Sequence, residues 1–142
     1  MKPMQVADNH CCFICGVNNP IGLKVKPSRD GAAGRAWMTV SIPAEFQGWE
    51  GVAHGGIISA LLDEVSVYAA FGISRQIVTA ELNVRYLKPV PVGREIVVEA
   101  TVHDRVRRSV MVDAMLSCDG EVLSRSEARV VVLKATGEAT GR

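Results

Sequence analysis

The chain has 142 residues, nearly half of them hydrophobic, and a formal net charge of only +1. Length and composition suit a single globular domain spanning 1–142, and the near-neutral balance argues against a nucleic-acid partner held by a basic surface. No apolar run approaches the ~20 residues that span a bilayer, and residues 1–8 lack the charged-then-apolar pattern of a signal peptide, so a cytoplasmic protein with no membrane partner is expected.

Cys11, Cys12 and Cys15 crowd together beside His10, and Cys118 stands far downstream. That layout is poor for a disulfide framework. Cys12-Phe13-Ile14-Cys15 could supply metal ligands, but a structural zinc site usually needs two such pairs and no second one follows. The expectation is therefore an N-terminal turn segment over 1–20 and no metal. Asn18-Asn19-Pro20-Ile21-Gly22 is turn chemistry. Leu23 to Lys26 alternates apolar and polar and reads as a half-buried strand, Arg29-Asp30-Gly31 as a turn, and Arg35 to Ile42 as the second arm of a hairpin. Pro43 closes that strand, and a loop carrying Phe46, Gln47 and Trp49 follows.

His54 to Gly72 reads as one long helix without proline. Ile57, Ile58, Leu61, Leu62, Val65 and Ala69 form a broad apolar arc, and Ser59, Asp63, Ser66 and Ala70 a small, polar stripe opposite. No side is fully polar, which marks a buried helix. After it the period changes to two. Gln76–Leu87, Glu95–Asp104, Val110–Cys118 and Val122–Leu133 read as strands, with Asp119-Gly120 a strong hairpin signal. Residues 135–142 form a small and polar tail, expected to fray. Four long strands after a single helix exclude a doubly wound fold, which needs alternation. The pattern predicts an α+β fold, one antiparallel sheet of five to six strands curled around one central helix.

The helix start carries the chemistry. Free backbone N–H groups at a helix N-terminus form an anion site, and glycine permits close approach. His54-Gly55-Gly56 supplies both features, and Asp63 and Glu64 place two carboxylates further along an apolar helix, where they are costly unless paired or useful. At ~1.5 Å rise per residue, His54 and Asp63 lie roughly 13 Å apart along the axis. If they act in one site, they come from two different helices.

These residues, together with Cys12-Phe13-Ile14-Cys15-Gly16, Asn19-Pro20-Ile21-Gly22-Leu23 and Thr79-Ala80-Glu81-Leu82-Asn83-Val84-Arg85-Tyr86-Leu87-Lys88-Pro89, make the chain resemble the hotdog-fold acyl-CoA thioesterase superfamily, in its phenylacetate-degradation branch. The resemblance implies a hotdog fold and hydrolysis of an acyl-CoA thioester without a cofactor. It gives the Gly55 N–H the role of oxyanion donor, Asp63 that of general base or nucleophile, Thr79 that of orienting the acid or its water, and His54 that of positioning the carbonyl. Gly56, Trp49 and Glu64 are expected to border the substrate, and Arg85 and Lys88 are candidates for the coenzyme A phosphates. Relatives carry an amide residue where this chain has Gly48; Gln47, one position earlier, is the substitute expected here. The family builds its site across a homodimer, with Gly55 of one chain facing Asp63 of the other, and pairing into a dimer of dimers stays open. Two alternatives remain from the residues: a non-catalytic acyl-CoA binding module, and a hotdog hydratase or dehydratase.

Overall fold

The structure, a computed structural model, describes residues 4–134; the tail expected over 135–142 lies outside the described residues. Six strands and one long helix make up the described fold: β1 (Ser28–Asp30), β2 (Arg35–Ser41), α1 (Gly55–Ala70), β3 (Ile77–Tyr86), β4 (Glu95–Val106), β5 (Ser109–Cys118) and β6 (Glu121–Val132), with a short 3-10 turn at Ala44–Phe46 before the helix. The strands form a single sheet in the order β1-β2-β4-β5-β6-β3, with every neighbouring pair antiparallel. This is the hotdog architecture, a sheet curled around one helix.

Alternation builds the sheet. In β2, Ala36, Met38 and Val40 are buried while their neighbours are exposed, and β4 and β5 repeat the pattern through Ile96, Val98, Ala100, Val110, Val112, Ala114 and Leu116. Against this inner face the helix packs Ile58, Leu61, Leu62, Val65 and Ala69, all 3% exposed or less. Full burial of the isoleucine, leucine and valine side chains among them stabilises by about 1.5–3 kcal/mol each. At the β5–β6 hairpin Asp119 and Gly120 have φ of 51° and 81°, the double positive φ that matches the twist of paired strands.

Two expectations need correction. Leu23–Lys26 is not a strand: Lys24 takes a left-handed φ of 57°, and the Leu23 and Val25 amides donate to the carbonyls of Phe13 and Ile14. That segment therefore seats the N-terminal turn, and the first arm of the hairpin moves down to β1. The helix stripe opposite the apolar arc also fails as a unit. Ser66 and Ala70 are fully buried, Ser66 Oγ donating back to the Leu62 carbonyl at 2.8 Å, whereas Ser59 and Asp63 stay half-buried. The sheet covers one side of the helix; Ile57, Ala60, Asp63, Glu64, Val67 and Tyr68 remain partly open on the other.

The edge strand β3 positions the site. It runs antiparallel to α1, so that Thr79 near its start meets Asp63 in mid-helix and Tyr86 at its end meets Gly55 at the helix start. A bulge between Thr79 and Glu81 interrupts its pairing with β6 beside that first contact, the kind of local irregularity that re-aims side chains. Among the described residues no helix is long and apolar enough to cross a membrane.

Candidate active site

Four amide groups at a helix start lack intrahelical acceptors, and in α1 three of them are spoken for. His54 is the N-cap, with extended backbone at φ −63° and ψ 136°. Its own amide donates to the Phe46 carbonyl at 3.0 Å, its carbonyl accepts from the Ile57 amide as well as from Ile58 in the first helical bond, and its Nδ1 accepts from the Gly56 amide at 2.8 Å. A ring nitrogen that accepts carries no proton, so the neutral imidazole is protonated at Nε2. A glycine is favoured at 56, since a Cβ there would sit 3.1 Å from Nδ1. The amide left over is that of Gly55, which has no acceptor among the described residues. It borders a cavity of about 370 Å³ lined by Gly48, Trp49, Ala53, His54 and Gly55. Trp49, at 85% exposure, stands at the rim of that cavity as an almost wholly solvated indole.

Tyr86 fixes the other side of the same peptide. Its hydroxyl donates to the Gly55 carbonyl at 2.8 Å and lies 2.6 Å from Ser59 Oγ. A tyrosine has one proton to give, so Ser59 is the donor in the second bond. Neither Tyr86 nor Ser59 is a site residue in the sequence reading. Tyr86 lies within the strand motif that carries the resemblance, but a tyrosine in a strand reads first as a β-former.

The two adjacent helix acids part company. Asp63 Oδ1 accepts from Thr79 Oγ1 at 2.6 Å. Burial pushes the Asp63 carboxyl above the ordinary aspartate range, and the Thr79 hydrogen bond opposes that rise. Glu64 faces the N-terminal segment, where Cys12 Sγ lies 3.6 Å from its Oε1 and its Oε2 is buried with no hydrogen-bond partner among the described residues. Burial raises the Glu64 carboxyl too; hydrogen bonds from Cys15 and Cys12 lower it, and the charges of Asp63 and Asp8 raise it. The Cys15 thiol is pushed up to about 12, by burial first and the Glu64 hydrogen bond second. Glu64 is therefore brought to the cysteines rather than to the Gly55 cavity.

The remaining candidates divide. Gln47 Oε1 accepts from the Gly51 amide at 3.0 Å and so closes its own loop. Gly48 lies against His54, where a Cβ would be 3.3 Å from the His54 Cα, so the position where the resemblance implies an amide is next to the histidine. Lys88 pairs with Glu121. Arg85, pointing to the opposite face of β3 from Tyr86, lines a groove of about 500 Å³ on the outer sheet surface with Asn83, Asp113 and Arg125. Gly55 and Asp63 are eight positions apart on one helix, or ~12 Å along its axis, so one chain brings together Gly55 with His54 and Tyr86, and Asp63 with Thr79, as two separate clusters.

A family model described as Thioesterase superfamily matches residues 50–124, the stretch from the loop before α1 into the β6 hairpin. The acyl-coenzyme A thioesterase THEM4 of Rattus norvegicus is 30% identical over 91 residues, covering 63% of this chain and 38% of that protein. A crystal structure described as a thioesterase superfamily protein is 26% identical and superposes with a TM-score of 0.78, covering 86% of this chain and 63% of the other. A phenylacetic acid degradation-related protein of Ralstonia eutropha JMP134 shares the fold at 24% identity and a TM-score of 0.71, over 78% of this chain and 86% of its own. The chain spans about two fifths of the length of the curated relatives it matches. The match covers both the Gly55 helix start and the Asp63–Thr79 pair, and the chain belongs to the thioesterase superfamily.

Proposed function

We propose that this protein hydrolyses an acyl-CoA thioester at sites shared between two copies of the chain. The Gly55 amide is the observation that carries the reading: among the described residues it is the one helix-start donor left without an acceptor, and it borders a cavity. Attack on a thioester carbonyl develops negative charge on oxygen. A fixed N–H at a helix N-terminus stabilises that charge without reorganisation, and such a donor is worth about 2.7–4 kcal/mol in the transition state.

Asp63 of the second copy supplies the base. With Oδ1 engaged by Thr79, the other carboxylate oxygen takes a proton from water. The hydroxide attacks the carbonyl carbon, the C–S bond breaks, and the departing thiolate of coenzyme A recovers the proton. Direct attack by Asp63 through an anhydride is the alternative with the same residues. His54, with its proton on Nε2, offers a second donor near the carbonyl. Trp49 and Gly56 border the acyl group. Arg85 and Lys88 are the basic residues proposed for the coenzyme A phosphates.

Several features support the dimer. Asp63 and Gly55 cannot meet within one helix. β3 is an edge strand of ten residues, a free pairing surface that proteins ordinarily cover. Tyr86 and Leu87 at its end are about half exposed and Trp49 nearly fully, as suits groups that a second copy would bury. A two-fold axis would satisfy both halves at once and give two equivalent sites. A cytoplasmic, reducing setting fits the four free thiols.

The test is thiol release from a panel of acyl-CoAs by the wild type and by Asp63→Asn. Turnover of at least one acyl-CoA, lost in Asp63→Asn, is expected. Equal turnover in the variant would remove the mechanism; binding without turnover by the wild type would leave a binding module.

A further inference from the structure

Glu64 sits next in sequence to Asp63, yet the proposed reaction has no use for it. Its surroundings suggest a different chemistry. The side-chain donors of Cys12, Cys15 and Glu64 all lie within 4.8 Å of one another, and all three residues are half-buried. Cys12 and Cys15 form the two arms of a tight turn. The Gly16 amide closes that turn on the Cys12 carbonyl at 2.8 Å. The Ile14 amide donates to Cys12 Sγ at 3.4 Å, a contact that stabilises a thiolate. The turn is rigid for reasons internal to the chain. Ile14 is 2% exposed in the core, and a Cβ at position 16 would lie 2.3 Å from the Cys12 nitrogen, so only glycine fits. Facing this two-thiol chelate, Glu64 presents one oxygen to Cys12 and holds the other buried with no partner among the described residues. An unsatisfied buried carboxylate oxygen is costly, and a cation bound among these donors would satisfy it.

We infer that Cys12, Cys15 and Glu64 form a binding site for one zinc-class divalent cation, which clamps the N-terminal segment to the central helix. Two thiolates and a carboxylate match zinc rather than magnesium or calcium, which prefer all-oxygen sets. Three protein ligands leave one tetrahedral position for water. Both thiols enter as thiolates, so uptake of one cation releases two protons to solvent. The second cysteine pair that zinc knuckles usually need is here replaced by a carboxylate 52 positions downstream. The inference stands independently of the proposed hydrolysis, because none of the three residues takes part in it.

The test uses the full chain, purified under reducing conditions, stripped with a chelator and titrated with Co²⁺. Uptake of one equivalent is expected, with thiolate-to-cobalt absorption in the near ultraviolet that zinc bleaches on displacement. Cys12→Ser and Cys15→Ser should abolish the band. Glu64→Gln should weaken cobalt binding at least about tenfold, since even the outer-shell partners of metal ligands are worth about ten- to a hundredfold in affinity, and Cys11→Ser should match the wild type. Should the serine variants fail to fold, the wild-type spectrum and the Glu64→Gln titration still decide. Absence of the band in the reduced wild type, or equal affinity in Glu64→Gln, overturns the inference.

Discussion

The Thr79 hydroxyl donates to Asp63 Oδ1 across 2.6 Å, joining the start of the edge strand to the middle of the central helix. A hydrogen bond to a charged group contributes about 1.5–3 kcal/mol, so Thr79→Val should lower kcat roughly ten- to a hundredfold while Thr79→Ser keeps most of it. The pH profile separates this role from packing. Burial raises the Asp63 pKa and the Thr79 bond lowers it. Removing the hydroxyl therefore raises the pKa further. The base works only when ionised, so the acid limb of kcat/KM should move to higher pH in Thr79→Val and return in Thr79→Ser. An acid limb that stays put in Thr79→Val would refute the assignment.

The Gly55 amide can be deleted without breaking the helix. Gly55 is the first helical residue, the position where proline is best tolerated, and the residue before it, His54, already holds the extended geometry that a following proline requires. Gly55→Pro should cost about 2.7–4 kcal/mol of transition-state stabilisation, a loss of roughly a hundred- to a thousandfold in kcat, with little change in Tm. Gly55→Ala keeps the N–H, and its Cβ would meet the Tyr86 ring at an ordinary 3.5 Å; it should stay near wild type. Equal activity in the proline and alanine variants would exclude the oxyanion role.

What can be read from the chain follows from how local the signal is. The helix start, the four long strands and the Asp119-Gly120 turn depend on periodicity and turn chemistry, and they lie within a residue or two of where those signals put them. Asp63 and Thr79 come from a resemblance, and their hydrogen bond joins two elements that no spacing rule connects. Leu23–Lys26 misleads because a period of two says nothing about a left-handed residue, and Lys24 adopts one. Glu64 is expected to border the substrate from the resemblance and its place beside Asp63, not from any facing partner that the helix spacing could name. Its actual facing partners, Cys12 and Cys15, are contributed by a segment whose path over the helix depends on tertiary packing. Position alone nominates Gln47, yet its side-chain amide is used within its own loop.

Tyr86 acts, on this geometry, as a positioning residue for the Gly55 peptide. Its hydroxyl holds the Gly55 carbonyl and accepts from Ser59. Tyr86→Phe keeps the ring that packs on Gly55 and removes only these bonds, each worth about 0.5–1.5 kcal/mol. A fall in kcat of up to about tenfold is expected, with KM for the acyl-CoA little changed and Tm lowered by a few degrees. A loss confined to Tm, with kcat intact, would make the hydroxyl purely structural.

The shared site gives the most demanding prediction. Gly55→Pro and Asp63→Asn should each be nearly inactive alone, because every site in either homodimer lacks one functional group. In a hybrid dimer both defects fall into the same site. The other site then joins the intact Gly55 of one chain to the intact Asp63 of its partner. Random re-pairing at equal ratio makes about half of the dimers hybrid, each with one competent site of two, so roughly a quarter of wild-type activity should return. Recovery should follow the kinetics of subunit exchange and be absent when either variant is mixed with itself. If exchange is complete by mass spectrometry and no activity returns, Gly55 and Asp63 do not serve one site across the two-fold, and the ~12 Å between them along the helix would need another explanation.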